Sequence, residues 1–334
     1  MRLLTRALSR EPEVRQRLVT GRGSELGRRA ARDGVVVREV PWTIGLDPRA
    51  CWRLVMEARE FRPDIIHAHN SHALSLAHWA RMVLARAWRQ PPPRLVLTRR
   101  VIFPVRPGSA LFRADRIIAI SEAVRVALVT AGAAPARLAL VPSGIDPDEV
   151  RRAAAFPLGI RAQLGLPSTT PLAVNVAALE PAKDQATLIR AAAQARALRP
   201  DLHWVIAGGG RLRPALTAEA TQLGLTDRIH FIGWTDHPEA LMREADVVVM
   251  SSRAEGLGTA VLDALALGKP VVATSGGGLP EIVPAEWLVG VGNAGALAEK
   301  VIRALDRPTP LPLPSHYTAS AMAHGVLTVY RSLT

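Results

Sequence analysis

Residues 245–274 read ADVVVMSSRAEGLGTAVLDALALGKPVVAT and contain a strand, a helix and a second strand in succession. The apolar run 247–250 has the length of a buried strand, residues 259–267 follow a helical period, and residues 270–274 form a second apolar run. Continuous apolar strands joined by a helix are typical of a parallel sheet that is covered on both faces. This stretch therefore predicts an α/β fold with parallel strands.

The same alternation of apolar runs and helical segments extends over most of the 334 residues. The predicted strands lie at 16–20, 35–40, 64–67, 95–98, 116–120, 138–141, 172–177, 203–207, 229–232, 247–250 and 270–274. Two proline-rich breaks, at 142–171 and 307–315, interrupt the pattern. We therefore predict two Rossmann-like domains, residues 1–150 and 151–316, followed by a C-terminal helix within 317–334.

The N-terminal domain lacks the expected opening. A doubly wound domain begins with a strand and a glycine-containing turn, whereas this sequence begins with a helix-like segment at residues 2–10. The first strand is therefore predicted to be missing. Either the domain is trimmed or the protein begins upstream of Met1, and we favour the second explanation.

Positive charge is concentrated in the first domain. Residues 1–150 contain 25 Arg and 14 Asp or Glu, whereas residues 151–334 contain 17 Arg or Lys and 15 Asp or Glu. The basic domain indicates an anionic partner, either a membrane surface or a phosphorylated acceptor, or simply an Arg-rich composition. Nucleic acid is not an expected partner, because the sequence has neither zinc-finger spacing nor an RNP-type aromatic motif.

Cysteine usage and hydropathy predict a cytoplasmic location. Cys51 is the single cysteine, and no apolar run approaches the roughly 18–20 residues that span a bilayer. The N-terminus lacks the apolar core of a signal peptide. If the protein binds the cytoplasmic membrane, we expect it to bind peripherally, at the inner face. The helix at residues 71–90 carries Trp79 and Trp88 among arginines and could lie on such a surface, although stripes of this kind more often pack on a sheet.

Two acidic residues flank a glycine-rich helix start in the second domain. Glu255 precedes Gly258 and Thr259, and Asp263 follows on the second turn of the helix. Free amides at a helix N-terminus favour phosphate, and the two acids can bind sugar hydroxyls on either side of a diphosphate. As an isolated pair, the two acids are more often a solvated loop residue and a helix-surface residue.

Further candidates follow other strands of the second domain. Gly208 and Gly209 come directly after a strand, where glycine permits close approach of a ligand but equally serves a tight turn. Lys183 follows the first strand and is one of only three lysines in the chain. Its ammonium group could neutralise a leaving diphosphate. The turn SGGGLPE at 275–281 either belongs to the ligand-binding edge of the sheet or is a connecting loop without a functional role.

In the first domain, histidines and arginines follow two predicted strands. The segment DIIHAHNSH places His67, His69 and His72 after a strand, and a substrate-contacting histidine is favoured over a metal site because no acid follows at ligand distance. Arg99 and Arg100 follow the next strand and are candidates for binding an anionic acceptor, or belong to an ordinary Arg-rich surface.

The motifs taken together are more specific than any one of them. Seven stretches occur in order between about residues 16 and 305: DIIHAHNSHA, ADRIIAISEAV, LVPSGID, ALEPAKDQATLI, VIAGGG, the opening stretch above, and GGGLPEIV. In this order they resemble the retaining glycosyltransferases of family 4, which have the GT-B fold. The resemblance implies two facing Rossmann-like domains, with a nucleotide-sugar donor on the second. It also implies that the last helix crosses back to the first domain.

The resemblance assigns roles to individual residues. Glu255 is similar to the acid that contacts the transferred sugar, and Asp263 stands where a glutamate normally holds the nucleotide ribose. Lys183 matches the lysine that stabilises the donor diphosphate. The position five residues before it is Ala178, where the family usually has arginine. His69 is the best match to the active-site histidine, with His72 as second choice.

The implied activity is transfer of a sugar, with retention, to an envelope, lipid-linked or polysaccharide acceptor. No metal or other cofactor is obligatory in this family. Two alternatives remain open. A degenerate nucleotide-sugar-binding protein fits the missing strand and Ala178. An epimerase of the same fold would need a pair of catalytic acids in the first domain, and the sequence shows no such pair.

Overall fold

The computed structural model describes residues 1–41, 47–87, 92–106 and 109–334. The chain divides into two compact units. The first unit comprises Met1–Gly144 and His316–Thr334, and the second comprises Ile145–Ser315. Each unit is built of parallel strands and helices, which confirms the predicted α/β class with two Rossmann-like domains.

The helices and strands alternate along the described chain. The helices are α1 (Arg2–Leu8), α2 (Glu25–Arg32), α3 (Pro48–Phe61), α4 (Ser71–Ala87), α5 (Glu122–Thr130), α6 (Pro147–Ala154), α7 (Ile160–Gln163), α8 (Gln185–Ala195), α9 (Arg213–Gln222), α10 (Pro238–Glu244), α11 (Thr259–Ala266), α12 (Ala294–Asp306) and α13 (Ala319–Arg331). The strands are β1 (Leu18–Gly21), β2 (Val37–Val40), β3 (Ile65–Ala68), β4 (Arg94–Arg99), β5 (Arg116–Ala119), β6 (Leu138–Leu140), β7 (Leu172–Val176), β8 (His203–Ala207), β9 (Ile229–Gly233), β10 (Val247–Met250), β11 (Val271–Thr274) and β12 (Leu288–Val289).

The first unit contains two separate parallel sheets. One consists of β1 and β2, and the other has the order β3-β4-β5-β6. Leu4 of α1 and Val326 of α13 belong to one buried apolar cluster with Val96 and Ile118 of the larger sheet. Among the described residues the first element is α1, and no strand joins the β1–β2 sheet to the four-stranded sheet.

The second unit contains one six-stranded parallel sheet with the order β12-β11-β10-β7-β8-β9. The strand β10, next to the centre of this sheet, is entirely apolar, and all four of its residues are buried. Burial of both faces is what the continuous apolar runs predicted. The carboxyl ends of β7 and β10, which are adjacent in this sheet, therefore open onto the same edge.

The structure corrects the predicted linker at 142–171. This stretch contains no strand, but it holds the two helices α6 and α7. Asp146 caps α6 by accepting hydrogen bonds from the amides of Asp148 and Glu149, and Pro147 occupies the first turn. These are ordinary helix-start signals that the proline content obscured. The short strand β12 was also missed, because two residues carry no periodic signal.

Helix α4 bears on the membrane-surface hypothesis. Trp79 is partly buried and packs against an apolar cluster that α3 and α4 share, which favours the packing alternative for this helix. Trp88 and Arg89 lie outside the described residues. Within the described ranges, no helix has the length and hydropathy needed to cross a bilayer.

Candidate functional site

Two loops of the second unit bring Lys183 and Glu255 together. Lys183 lies in the loop after β7, and Glu255 lies in the loop after the adjacent strand β10. The Lys183 Nζ atom forms an ion pair with Glu255 Oε2. Ser252 Oγ donates a hydrogen bond to the same carboxylate oxygen over 3.2 Å. Both charged side chains are mostly buried, with 24% of the lysine and 14% of the glutamate side chain exposed.

The same two loops are joined by further bonds beneath this ion pair. Ser251 Oγ donates to the Lys183 carbonyl over 2.9 Å, and the Arg253 amide donates to the Ala182 carbonyl over 2.8 Å. Arg253 Nε lies 2.8 Å from Asp184 Oδ2. Asp184 is buried and has a φ of 47°, a left-handed conformation that aspartate tolerates better than most residues. The ion pair therefore rests on a fixed scaffold rather than on two free loops.

Gly258 makes the transition from the acidic loop to α11. Its φ is +96°, and a Cβ atom at this position would lie 2.8 Å from Leu279 Cδ2 and 3.5 Å from Glu255 Cγ. The first hydrogen bonds inside α11 go to the Gly258 carbonyl, so the amides of Gly258 and Thr259 begin the helix. The positive end of α11 thus starts beside the Glu255 side chain, where it favours an anion.

The SGGGLPE turn is a structural support of the acidic loop and not a bare connection. The Gly278 amide donates to the Glu255 carbonyl over 2.9 Å. A Cβ atom on Gly276 would lie 2.1 Å from the Ser252 carbonyl oxygen, and one on Gly277 would lie 2.1 Å from the Glu255 carbonyl oxygen. The glycines allow the two backbones to approach, and this contact fixes the position of Glu255.

The glycines after β8 differ from one another. A Cβ atom on Gly208 would lie 2.0 Å from the Ala177 carbonyl oxygen, so this glycine is required by packing against the loop that leads to Lys183. Gly209 is exposed and has open space around the position of a Cβ atom. Of the two predicted ligand-binding glycines, Gly209 is the one whose surroundings leave room for a ligand.

Asp263 lies on α11, five residues after Gly258. Burial, together with the charge of Glu239 on α10, raises the pKa of its carboxyl group to about 7. The electrostatic neighbour of Asp263 is therefore a second carboxylate, which the sequence spacing did not reveal. A protonated carboxyl group can donate a hydrogen bond as well as accept one.

The loop around Ala178 contains one further charged group of interest. Ala178 is exposed, and its carbonyl accepts a hydrogen bond from Gln185 Nε2 over 3.0 Å. Two residues later, Glu180 forms an ion pair with Arg211, with Arg211 Nε 3.1 Å from Glu180 Oε2. Arg211 follows the Gly208–Gly210 turn and was not predicted, because one arginine among 39 gives no signal.

In the first unit, His67 and His69 lie at the carboxyl end of β3. His67 Nδ1 is 2.7 Å from the Tyr330 hydroxyl and its Nε2 is 2.7 Å from Thr98 Oγ1. Burial lowers the pKa of His67 to about 3, and the charge of Arg100 contributes. The His69 ring stacks on His67 with 4.1 Å between centroids. Burial also holds the pKa of His69 well below its usual value, so both rings are neutral at physiological pH.

The neutral His69 ring retains hydrogen-bonding capacity. Its Nδ1 atom is buried and has no hydrogen-bond partner in the structure. A buried polar atom of this kind is uncommon, and it identifies a position where a ligand group can bond. His72, the second choice from the sequence, is exposed on the first turn of α4.

The predicted arginines bind neutral oxygen atoms. Arg99 Nη2 donates to the Phe103 carbonyl over 2.9 Å, and Arg100 Nη1 donates to Ser143 Oγ over 2.8 Å. Burial lowers the pKa of both guanidinium groups. Among the described residues, no group of three or more His, Cys, Asp or Glu side chains has a metal-binding arrangement.

Two family models match the chain, one in each half. The model described as Glycosyltransferase Family 4 matches residues 1–149, and the model described as Glycosyl transferases group 1 matches residues 159–321. Together the two models cover most of the chain, which belongs to the family 4-type glycosyltransferases. The two models meet in the region where the two compact units divide, so each unit of this glycosyltransferase corresponds to one of them.

Curated relatives share part of their length with this glycosyltransferase. The 2-deoxystreptamine glucosyltransferase of Streptomyces kanamyceticus is 32% identical over 209 residues, which are 60% of this chain and 54% of that protein. The GDP-mannose-dependent monoacylated alpha-(1-6)-phosphatidylinositol monomannoside mannosyltransferase of Corynebacterium glutamicum is 35% identical over 180 residues, which are 50% of this chain and 47% of that protein. The chain therefore spans about half the length of these relatives.

A solved structure shares the fold of the whole chain. Anabaena HepE, crystallised in complex with UDP and glucose, has a TM-score of 0.81 at 21% identity. The similarity covers 99% of this chain and 95% of that chain. At this level of identity the comparison establishes the shared GT-B fold.

Proposed function

We propose that this protein transfers a sugar from a nucleoside diphosphate sugar to an acceptor hydroxyl, with retention of configuration, and that the second unit binds the donor. The observation that carries the proposal is the Lys183–Glu255 ion pair beside the N-terminus of α11. An ammonium group, a carboxylate and free helix amides on one sheet edge are suited to a diphosphate with an attached sugar.

Departure of the nucleoside diphosphate requires fixed positive potential. Lys183 and the amides at Gly258 and Thr259 supply that potential from a scaffold that needs little rearrangement. Preorganised donors of this kind are each worth about 2.7–4 kcal/mol in the transition state. Because Ala178 replaces the arginine usual in this family, Lys183 carries a larger share of this stabilisation.

Glu255 is proposed to bind the hydroxyl groups of the transferred sugar. Its carboxylate accepts a hydrogen bond from Ser252 and forms an ion pair with Lys183, so its position is fixed before the donor binds. When the diphosphate replaces Glu255 as the ionic partner of the Lys183 ammonium group, the Glu255 carboxylate becomes available to accept a hydrogen bond from a sugar hydroxyl. Asp263 is proposed to bind the ribose, and Gly208 and Gly209 the adjacent part of the donor.

His69 is proposed as the residue of the first unit that contacts the transferred sugar. This role comes from the resemblance to the family histidine, and the buried, unpaired Nδ1 atom supports it. The neutral ring can accept a hydrogen bond from a hydroxyl or donate one to it.

The acceptor is proposed to be anionic and attached to an envelope or lipid-linked glycan at the inner face of the cytoplasmic membrane. Arg99 and Arg100 support this assignment, because within the part of the chain that the structure describes they bond to neutral oxygen atoms and neither forms an ion pair with a carboxylate. The excess of arginine over acidic residues in residues 1–150 supports it as well. A partly buried guanidinium group without a carboxylate partner is well suited to a phosphate.

A panel of nucleotide sugars tests the proposed activity. UDP-glucose, UDP-galactose and GDP-mannose are incubated with the chain, with water as the acceptor of the sugar, and release of UDP or GDP is measured with each donor. Release that disappears in Lys183→Met but persists in Lys300→Met supports the proposal. Lys300 is a suitable control because its ammonium group bonds to the backbone carbonyls of Glu286 and Leu288.

A second candidate function is nucleotide-sugar binding without transfer. The exposed Ala178 favours it, since this residue stands where the family usually has an arginine that helps neutralise the diphosphate. This candidate predicts saturable binding of a nucleotide sugar that depends on Lys183, with no release of nucleoside diphosphate from any donor of the panel.

A further inference from the structure

The ring of His67 is held at both of its nitrogen atoms, yet the proposed transfer gives this residue no role. Its Nδ1 atom is bonded to the hydroxyl of Tyr330, near the end of α13, and its Nε2 atom to the hydroxyl of Thr98 on β4. The rings of His67 and Tyr330 also meet edge to face, at 85° with 5.7 Å between centroids. Bonds at both nitrogens leave the imidazole a single orientation.

This polar group lies within an otherwise apolar layer. His67 shares a face of the sheet with Ile65 of β3, and Thr98 shares it with Val96 of β4, because side chains two positions apart in a strand point the same way. Ile65 and Val96 pack in the apolar cluster that includes Val326 of α13. An apolar residue at position 67 would fill this layer without needing two hydroxyl partners. The bonded histidine therefore calls for an explanation other than packing.

The two hydroxyl groups select one tautomer of His67. Burial and the charge of Arg100 lower the pKa of His67 to about 3, so the ring is neutral and has one donor and one acceptor nitrogen. Burial raises the pKa of the Tyr330 hydroxyl, which therefore keeps its proton. A phenol is a better hydrogen-bond donor than an alcohol, so Tyr330 donates to Nδ1 and the Nε2–H group donates to Thr98 Oγ1.

The fixed ring of His67 supports His69. The two rings stack with 4.1 Å between centroids and 28° between their planes. Among the described residues, the Nδ1 atom of His69 has no hydrogen-bond partner that would fix its ring. The orientation of His69 therefore depends on the ring on which it stacks.

We propose that Tyr330 and Thr98 are positioning residues that act through His67, and that His67 holds His69 with its Nδ1 atom directed at the transferred sugar. This inference rests on the proposed function of His69. A fully bonded polar network of this kind specifies one arrangement, which an apolar contact alone does not. It also places a functional hydroxyl on α13, the last helix of the chain.

Conservative variants test each hydroxyl separately. Tyr330→Phe removes the phenol oxygen and keeps the ring that packs on the apolar layer. Thr98→Val removes the second hydroxyl at nearly constant size, whereas Thr98→Ser keeps it. Thr328→Val is the control, because Thr328 is exposed on the same helix and its hydroxyl bonds to the His324 carbonyl.

The first readout is ring ¹⁵N NMR of His67 and His69 in the full chain without donor. The proposal predicts that His67 is a single Nε2–H tautomer in the wild type from pH 6 to 8. Tyr330→Phe and Thr98→Val should give tautomer mixtures at His67 and should shift or broaden the ring signals of His69. Thr98→Ser and Thr328→Val should resemble the wild type. Unchanged His69 ring signals in Tyr330→Phe would overturn the proposal.

The second readout is release of nucleoside diphosphate from the donor. Tyr330→Phe should lower kcat about tenfold, because a displaced contact loses transition-state stabilisation, while the KM for the donor changes less than about twofold. In a His69→Ala background the same substitution should have almost no further effect, since it acts through that ring. Equal losses of kcat in the two backgrounds would overturn the proposal. Absence of release from every donor would contradict the proposed function instead, because the NMR readout needs no donor.

Discussion

Lys183 and Glu255 form an ion pair across 72 positions of the sequence, between loops that follow the adjacent strands β7 and β10. Each group can exchange this contact for a part of the donor, because a phosphate matches the ammonium group and a sugar hydroxyl matches the carboxylate. The pair thus holds two functional groups in position before a ligand binds. Most of the predictions below concern this pair and the helix start beside it.

Replacing Glu255 with Gln should separate transfer from nucleotide binding. The amide keeps the size of the side chain but loses the charge that stabilises the sugar in the transition state, so kcat should fall about 100-fold. The dissociation constant of the free nucleoside diphosphate should change little or decrease, since Lys183 is no longer paired. Glu299→Gln, an exposed residue of α12, is the matched control. Equal kcat values for the two variants would contradict the assigned role.

Gly258 should be far less tolerant of substitution than Gly268, although both have a positive φ at an end of α11. Alanine at Gly268 meets open space and should cost about 1–2 kcal/mol for the left-handed backbone alone. Alanine at Gly258 also meets Leu279 at 2.8 Å, which should add ~1–3 kcal/mol. Denaturant unfolding of both variants measures the difference. Similar losses would show that Gly258 is not held by this packing.

Introducing arginine at Ala178 should increase activity. Ala178 is exposed on the loop that leads to Lys183, so a guanidinium group there adds a second positive charge near the proposed diphosphate. A gain of about tenfold in kcat/KM corresponds to about 1.4 kcal/mol of added transition-state stabilisation. Ala155→Arg places the same charge at an exposed position after α6 and should have no such effect. An unchanged or lower kcat/KM for Ala178→Arg would indicate that Lys183 acts alone or elsewhere.

Asp263 should make folding stability fall as pH rises. Its pKa is 3.8 as a free side chain and about 7 in the folded protein, so between these values the folded state binds more protons than the unfolded state. The free energy of unfolding therefore decreases from about pH 4 to pH 7 and then levels. Asp263→Asn should remove this contribution and become more stable relative to the wild type across that window. The exposed Asp236→Asn variant is the control, and parallel profiles for Asp263→Asn and the wild type would contradict the assignment.

The fold was predictable from the sequence because its strands are continuous apolar runs. The predicted strands at 203–207 and 247–250 agree with β8 and β10 at both ends. The linker was misread because prolines at helix starts resemble prolines in loops, and α6 begins with Pro147. Strand β12 gave no signal, since its two residues pair with β11 only through the tertiary fold.

The site was predictable only in part, for a physical reason. Neighbouring strands end at one sheet edge, so the approach of Lys183, Glu255 and Gly258 follows from the strand pattern. The ion pair between Arg253 and Asp184 depends on the left-handed backbone conformation of Asp184, which cannot be predicted from the spacing of residues in the sequence. The proximity of Glu239 to Asp263 likewise depends on how α10 packs beside α11.

The most direct test of the account is calorimetric titration of UDP and GDP, with uridine and guanosine as phosphate-free comparisons, into the wild type and Lys183→Met. The account predicts that the wild type binds one diphosphate at least about 100-fold more tightly than its nucleoside, and that Lys183→Met loses most of this difference. It also predicts that Lys300→Met keeps the difference. Equal diphosphate affinity in the wild type and Lys183→Met would contradict the claim that Lys183 and the start of α11 hold a pyrophosphate.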